Sequence, residues 1–176
     1  MQRRLTGGAR RVVQRAGEEA RRLGRMTVGP EDVLLALLDL PEEHPVRRLL
    51  ATHGCGPSGL AEPAPPDQPR VASPPMSAAV TRAIEAALRE ARAAGSETVT
   101  EGHLLLGVLA TAEGTAATWL ADHGLTLEEG RTAALAPLSG PTDPGPGPHL
   151  RVRSSATVEE LYAPPIDEDL DPHPPD

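Results

Sequence analysis

The chain has no lysine, no phenylalanine and one cysteine, and aromatic residues make up only 1% of its 176 positions. Each scarcity excludes some chemistry. Without lysine there is no phosphate-binding loop of the G-x-x-x-x-G-K-[ST] type and no Schiff-base amine, so P-loop ATP hydrolysis is excluded for this chain. The lone Cys55 cannot form an internal disulfide or a Cys-pair zinc site. No apolar run approaches the ~20 residues that cross a bilayer, and Met1–Arg25 is charged rather than signal-like, so a cytoplasmic location away from membranes is expected. A core poor in aromatics must be built from Leu, Val and Ala, which suits close-packed helices better than a β-sandwich.

The formal net charge of -8 opposes contact with a phosphate backbone. Arg10-Arg11, Arg21-Arg22 and Arg47-Arg48 do gather in the first fifty positions. A solvated helix face is their ordinary explanation, and no nucleic-acid partner is expected.

What is present is a duplication. Ala20-Arg21-Arg22-Leu23-Gly24 aligns with Ala91-Arg92-Ala93-Ala94-Gly95 at an offset of 71. At that offset Val28 meets Val99, and Leu34-Leu35-Ala36-Leu37-Leu38 meets Leu105-Leu106-Gly107-Val108-Leu109. Past a loop the offset slips to 70, where Ala51-Thr52-His53-Gly54 meets Ala121-Asp122-His123-Gly124. Agreement of spacing, apolar phase and terminal glycines marks an internal repeat. Both copies read as helices. Thr6 caps a first helix with the apolar stripe Ala9, Val12, Val13, Ala16, Ala20 and Leu23, and Gly24 stops it. A second helix opens at Pro30, with Glu31 and Asp32 at the positive end of its dipole, and a third runs from about Pro45 to His53. In the second copy Ser77 caps a helix that stops at Gly95. Helices follow from about Glu101 to Ala110 and from about Thr115 to His123, and Thr126 with Glu129 has capping-box spacing ahead of a fourth.

These words in this order resemble the Clp N-terminal repeat domain: a helix ending Ala-Arg-x-x-Gly, a Val, a Leu-Leu-(Ala/Gly)-(Leu/Val)-Leu run, and a short helix closing on Gly, all twice. The resemblance implies an all-α fold, a pseudo-two-fold bundle of two helical repeats. It places a double repeat domain over residues 1–138, with repeat one at 5–56, a Pro-rich linker at 57–75 and repeat two at 76–138. Residues 139–176 read as a disordered Pro/Gly-rich acidic tail, and the island Val158–Tyr162 reads first as part of that solvating tail, with a short helix or docking motif as the alternative. Prolines in the linker leave repeat one without its fourth helix, so apolar surface there is either a partner site or packed by the linker.

The resemblance also implies a function. Such domains stand at the front of Clp-type AAA+ unfoldases and bind substrates and adaptors. A free-standing, non-enzymatic version without a cofactor would act as an adaptor, a substrate-binding protein or a decoy. Its partners would be a Clp unfoldase, an adaptor or substrate peptides, or a peptide antibiotic that it sequesters. In some relatives a Glu of the second helix helps to hold phosphorylated arginine beside a Thr at the start of the first. Thr6 and Glu31 fit those places in repeat one, whereas repeat two offers Ser77 with Gly102 at the acid's position. The same residues have ordinary roles: Thr6 and Ser77 as caps, Glu31 as a first-turn acid. His53 and His123 read as last-turn histidines, His103 as a base without a nucleophile, and Cys55 as an incidental thiol. Trp119 aligns with Leu49 as a core or groove residue.

Overall fold

A computed structural model describes residues 3–135 and 151–152. The first helix, α1 (Gly7–Arg22), starts where Thr6 accepts the Ala9 amide, and its expected stripe from Ala9 to Leu23 is buried. It ends because Gly24 takes φ +72°, which lets the Arg25 amide reach back to Ala20 and the Gly24 amide to Arg21. The same closure recurs at Gly95 after α4 (Ala78–Ala93), which Ser77 caps through the Val80 amide.

Between these two long helices lie α2 (Pro30–Leu38) and α3 (Pro45–Thr52). After α4 come α5 (Glu101–Thr111), α6 (Gly114–Asp122) and α7 (Leu127–Leu135). The expected capping box is formed at the head of α7. There the Thr126 amide donates to Glu129 and the Glu129 amide to Thr126. Repeat two thus has four helices and repeat one has three, as the prolines imply.

Two copies of one hairpin could simply lie side by side. Instead, their lead-in segments are exchanged. The segment before α1, β1 (Arg3–Leu5), pairs in parallel with β2 (Thr98–Val99) of the other copy, with Leu5 opposite Val99. Reciprocally, Met76 before α4 bridges Val28 of repeat one. The Thr6 amide donates to Val99 O at 3.0 Å and the Ser77 amide to Val28 O at 2.9 Å. A third strand, β3 (Arg151–Val152), lies antiparallel on the far side of β1, giving the order β2-β1-β3. Apart from that pair, the expectation of an unstructured tail, with its Val158–Tyr162 island, lies outside the described residues.

The two copies pack unequally. Gly107 of α5 faces α4 so closely that a Cβ there would overlap the Ala83 carbonyl, whereas repeat one carries Ala36 at the aligned position. Gly102 at the head of α5 lies under α7, where a Cβ would sit 2.8 Å from the Ala134 Cβ. This is why repeat two lacks the acid at that position. The fourth helix covers it, and only the copy without a fourth helix has room for Glu31.

The place of the missing helix is filled by the linker. Leu60 is fully buried, the Ala64 amide donates to Leu23 O at 2.8 Å, and the Trp119 indole donates to Ser58 O at 3.0 Å. Arg25 clamps the same stretch by donating to the Leu60 and Glu62 carbonyls. Residues 57–64 are therefore docked on the core through Leu60 rather than free as a spacer, and Leu60 covers apolar surface that the lost helix would have left open. Leu60→Ala is expected to cost about 2–5 kcal/mol of folding stability, because the cavity lies between Arg25-anchored turns that cannot collapse freely. Urea unfolding checks this; a loss under about 0.5 kcal/mol would mean that the linker is only loosely docked.

Candidate functional site

The exchanged lead-ins create two junctions, each built from both repeats. At the first, the heads of α1 and α5 meet. Thr6 Oγ1 donates to Glu101 Oε2 at 3.4 Å while still capping Ala9. The Glu101 carboxylate lies over Gly8, where any Cβ would collide with it. It thereby sets a negative charge at the positive end of the α1 dipole, a position worth roughly 0.3–1 kcal/mol and more when partly buried. Glu101 is only 6% exposed, so the charge is shielded from water.

His44 approaches the same carboxylate from the head of α3. Its Nδ1 accepts the Val46 amide at 3.2 Å, which puts the proton of the neutral ring on Nε2. That Nε2 is buried, without a hydrogen-bond partner, and 3.8 Å from Glu101 Oε1. Burial lowers the His44 pKa despite the pull of Glu101, so the ring is neutral near pH 7. A buried N–H donor left over beside a buried carboxylate is the kind of local frustration that folded proteins keep at working sites.

The second junction joins the heads of α4 and α2. Ser77 caps α4 and ties to Val28, next to the α2 cap Gly29. Glu31 folds back over Gly29 and lies 3.8 Å from Arg25. Asp32 is wholly buried, accepting the Gly29 amide at 2.8 Å and the Arg25 guanidinium. Its counterpart His103 makes the equivalent cap, accepting the Thr100 amide on Nδ1 at 3.1 Å. The structure therefore separates the sequence-matched pair Thr6 and Glu31. It gives Thr6 the acid Glu101 of the other repeat and puts Ser77 and Glu31 at the opposite junction.

The remaining candidates have structural roles. His53 joins repeats by placing Nδ1 2.9 Å from His123 O and Nε2 3.2 Å from Glu129. His123 turns back to Trp119 O at 2.7 Å. Cys55 is buried, and burial pushes its thiol up to about 11, far from a reactive thiolate. No cluster of His, Cys, Asp and Glu suited to a metal ion occurs among the described residues. No single helix among them is long and apolar enough to cross a membrane.

Asp32 carries a pH signature. Burial raises its carboxyl from the usual 3.8 to about 6, against the opposing pull of the Gly29 amide and Arg25. The folded chain thus holds this proton more tightly than the unfolded one. The stabilisation is fully present below pH 3.8 and is lost as pH rises through about 6. Between about pH 5 and about pH 7.5 the wild type should lose roughly 1 kcal/mol relative to Asp32→Asn, measured by urea unfolding of both chains. A difference that stays flat with pH, or that favours the wild type at the higher pH, would refute this. At the other junction, Gly102→Glu restores the aligned acid but drives it into α7. It is expected to cost about 1–3 kcal/mol and to raise amide exchange in residues 127–135.

The duplicated unit and its exchanged junctions can be set beside known proteins. Residues 61–154, just over half of the chain, match the Clp repeat (R) N-terminal domain. The chain is 31% identical over 148 residues to an ATP-dependent Clp protease ATP-binding subunit ClpA homolog of Guillardia theta. That alignment takes in 75% of this chain but only 17% of the relative's length. Among solved structures, the Hsp104 N-terminal domain from Candida albicans is similar with a TM-score of 0.61 at 16% identity, over 75% of this chain and 89% of that one. The N-terminal domain of the chaperone ClpD from Arabidopsis thaliana gives 0.52 at 20% identity, over 75% and 92%. A ClpV N-domain solved in complex with a VipB peptide gives 0.57 at 14%, over 75% and 89%. These structures share the fold, and the family match agrees with the repeat read from the residues: the chain belongs to the Clp repeat (R) N-terminal domain family.

Proposed function

We propose that the chain is a non-enzymatic binding module of the Clp chaperone–protease system, engaging a peptide segment of a substrate, an adaptor or a Clp unfoldase at the Thr6–Glu101 junction. The observation that carries this reading is the buried Glu101 carboxylate held between Thr6, the head of α1 and the unpartnered Nε2 of His44. A carboxylate so placed suits a guanidinium, modified or not, and the head of α1 suits an anion once Glu101 swings away. The ClpV N-domain in complex with a VipB peptide supports peptide binding as a use of this fold. No nucleophile with a base and an orienting group is assembled among the described residues, which supports a binding role over catalysis. Glu31 and Ser77 form the weaker candidate, since Arg25 already pairs with Glu31 and Asp32.

The alternative occupant, a small molecule or peptide antibiotic, draws no support from the apolar void between the repeats, because buried core residues such as Val13, Ala16, Val33, Ile84 and Val108 line it.

One experiment tests the proposed reading. Immobilised protein, without ATP, is expected to retain Clp components or substrate peptides from lysate, and Glu101→Gln to reduce that retention at least tenfold with folding intact. Retention indifferent to Glu101→Gln would remove the Thr6–Glu101 junction as the binding site. Failure to retain any specific partner, with crosslinking included, would count against the module itself.

A further inference from the structure

β1 is flanked on both sides, and its two edges differ in kind. Main-chain groups alternate along a strand, so the Thr6 amide, which faces Val99, fixes the rest. Arg4 also faces β2, whereas Leu5 and Arg3 present their groups to the other side, where Arg151–Val152 pair antiparallel with Arg3 and Arg4. The equivalent segment of the second copy is Pro74-Pro75-Met76. It keeps the inner contacts, since Pro75 O accepts the Val28 amide at 2.8 Å and the Ser77 amide donates to Val28. Its outer edge, however, has Pro74 where the first copy has Arg3, and a proline there supplies no N–H and obstructs a neighbouring strand. One of two pseudo-equivalent edges is thus open to strand addition, and the other is closed.

An open edge is a template for an extended chain. Here it is filled from within, by Arg151 and Val152 of the same chain. Such a short ladder holds weakly by itself. By sequence it is also a poor match, because Arg151 stands opposite Arg4.

We propose that the outer edge of β1 is a docking strand for an extended peptide segment of a partner, carboxylate-bearing by preference, and that Arg151–Val152 occupies it in cis until such a segment displaces them. An antiparallel peptide on this edge runs with its N-terminal side toward Leu5 and Thr6. The inference shares with the function proposed above the premise that the chain binds peptides, but it invokes main-chain pairing rather than the Glu101 carboxylate.

The test uses the full chain and a fluorescein-labelled peptide with the sequence of residues 147–156, followed by anisotropy. Val152→Pro, which disables the cis strand, is expected to bind this probe at least tenfold more tightly than the wild type. Adding Arg3→Pro, which installs what the second copy has at Pro74, is expected to remove that gain. A probe with Glu at the position of Arg151 should bind the Val152→Pro chain more tightly than the native probe. Hydrogen exchange supplies a second reading: the Leu5 amide should exchange at least tenfold faster in Val152→Pro, with the helices unchanged. Equal affinity in the wild type and Val152→Pro, absence of binding to Val152→Pro, or a double variant that binds as well as the single one would overturn the proposal. Glu101→Gln should leave probe binding unchanged. If it abolishes partner retention while probe binding persists, the two sites stand or fall separately.

Discussion

Each lead-in strand of this protein finds its hydrogen bonds in the opposite repeat, and most of the structure follows from that exchange. Leu5 pairs with Val99 and Met76 with Val28, both at the offset of the duplication. A helix cannot supply its own first amides with partners, so something must fix the chain that enters it. Here the fixing element is the loop before the second helix of the other copy. Each repeat's lead-in is thus held by its sibling, while Thr6 and Ser77 cap the first helical amides within their own repeats. The same exchange sets the head of α1 against the head of α5, and so brings Thr6, Gly8 and Glu101 together.

Asymmetry then enters through a single difference, the presence of α7. Its backbone lies where a side chain at residue 102 would project, so glycine is required there, and the acid found in repeat one cannot be carried. Repeat two instead has Glu101 one position earlier, and it points across to Thr6. Repeat one has no fourth helix, keeps Glu31, and covers the gap with Leu60 and the turn that Arg25 and Trp119 hold. Burial of Leu60 contributes roughly 1.5–3 kcal/mol, more than the exposed pair of Arg131 and Glu90 can give in fastening α7 to α4. Apolar contact therefore decides where the linker goes, and the ion pairs adjust its edges.

Much of the fold was legible in the sequence because helices announce themselves locally. Thr6, Ser77, Thr126 with Glu129, Pro30, Gly24 and Gly95 each mark a boundary by chemistry confined to four or five residues, and each boundary lies where that chemistry puts it. Linker docking was half legible. The prolines forbid a helix, but nothing local says that Leu60 enters the core. The site was the least legible part. Reading Thr6 with Glu31 assumes that a pocket belongs to one repeat, whereas Glu101 is 95 residues from Thr6 in sequence. The Gly7-Gly8 pair was the available signal, since two glycines in a first turn are poor helix formers unless something must approach the backbone closely.

The same logic explains why the two junctions differ chemically although they share a blueprint. At the α2 head the third helical residue is Asp32, a charge that burial alone would make costly. Arg25 answers it, and the guanidinium is then free to hold the linker carbonyls as well. At the α5 head the equivalent residue is His103, whose Nδ1 caps the helix without bringing an obligatory charge. No arginine is needed there, and Ser96 stands at the position aligned with Arg25. One junction has therefore used its acid and base on each other to anchor the linker. The other keeps Glu101 with only a weak hydroxyl contact and an unpaired imidazole N–H beside it. A charge already matched by arginine gains little from a ligand, whereas one left with partial partners gains a great deal. On that difference in unmet electrostatic demand, the first junction is where recognition should reside.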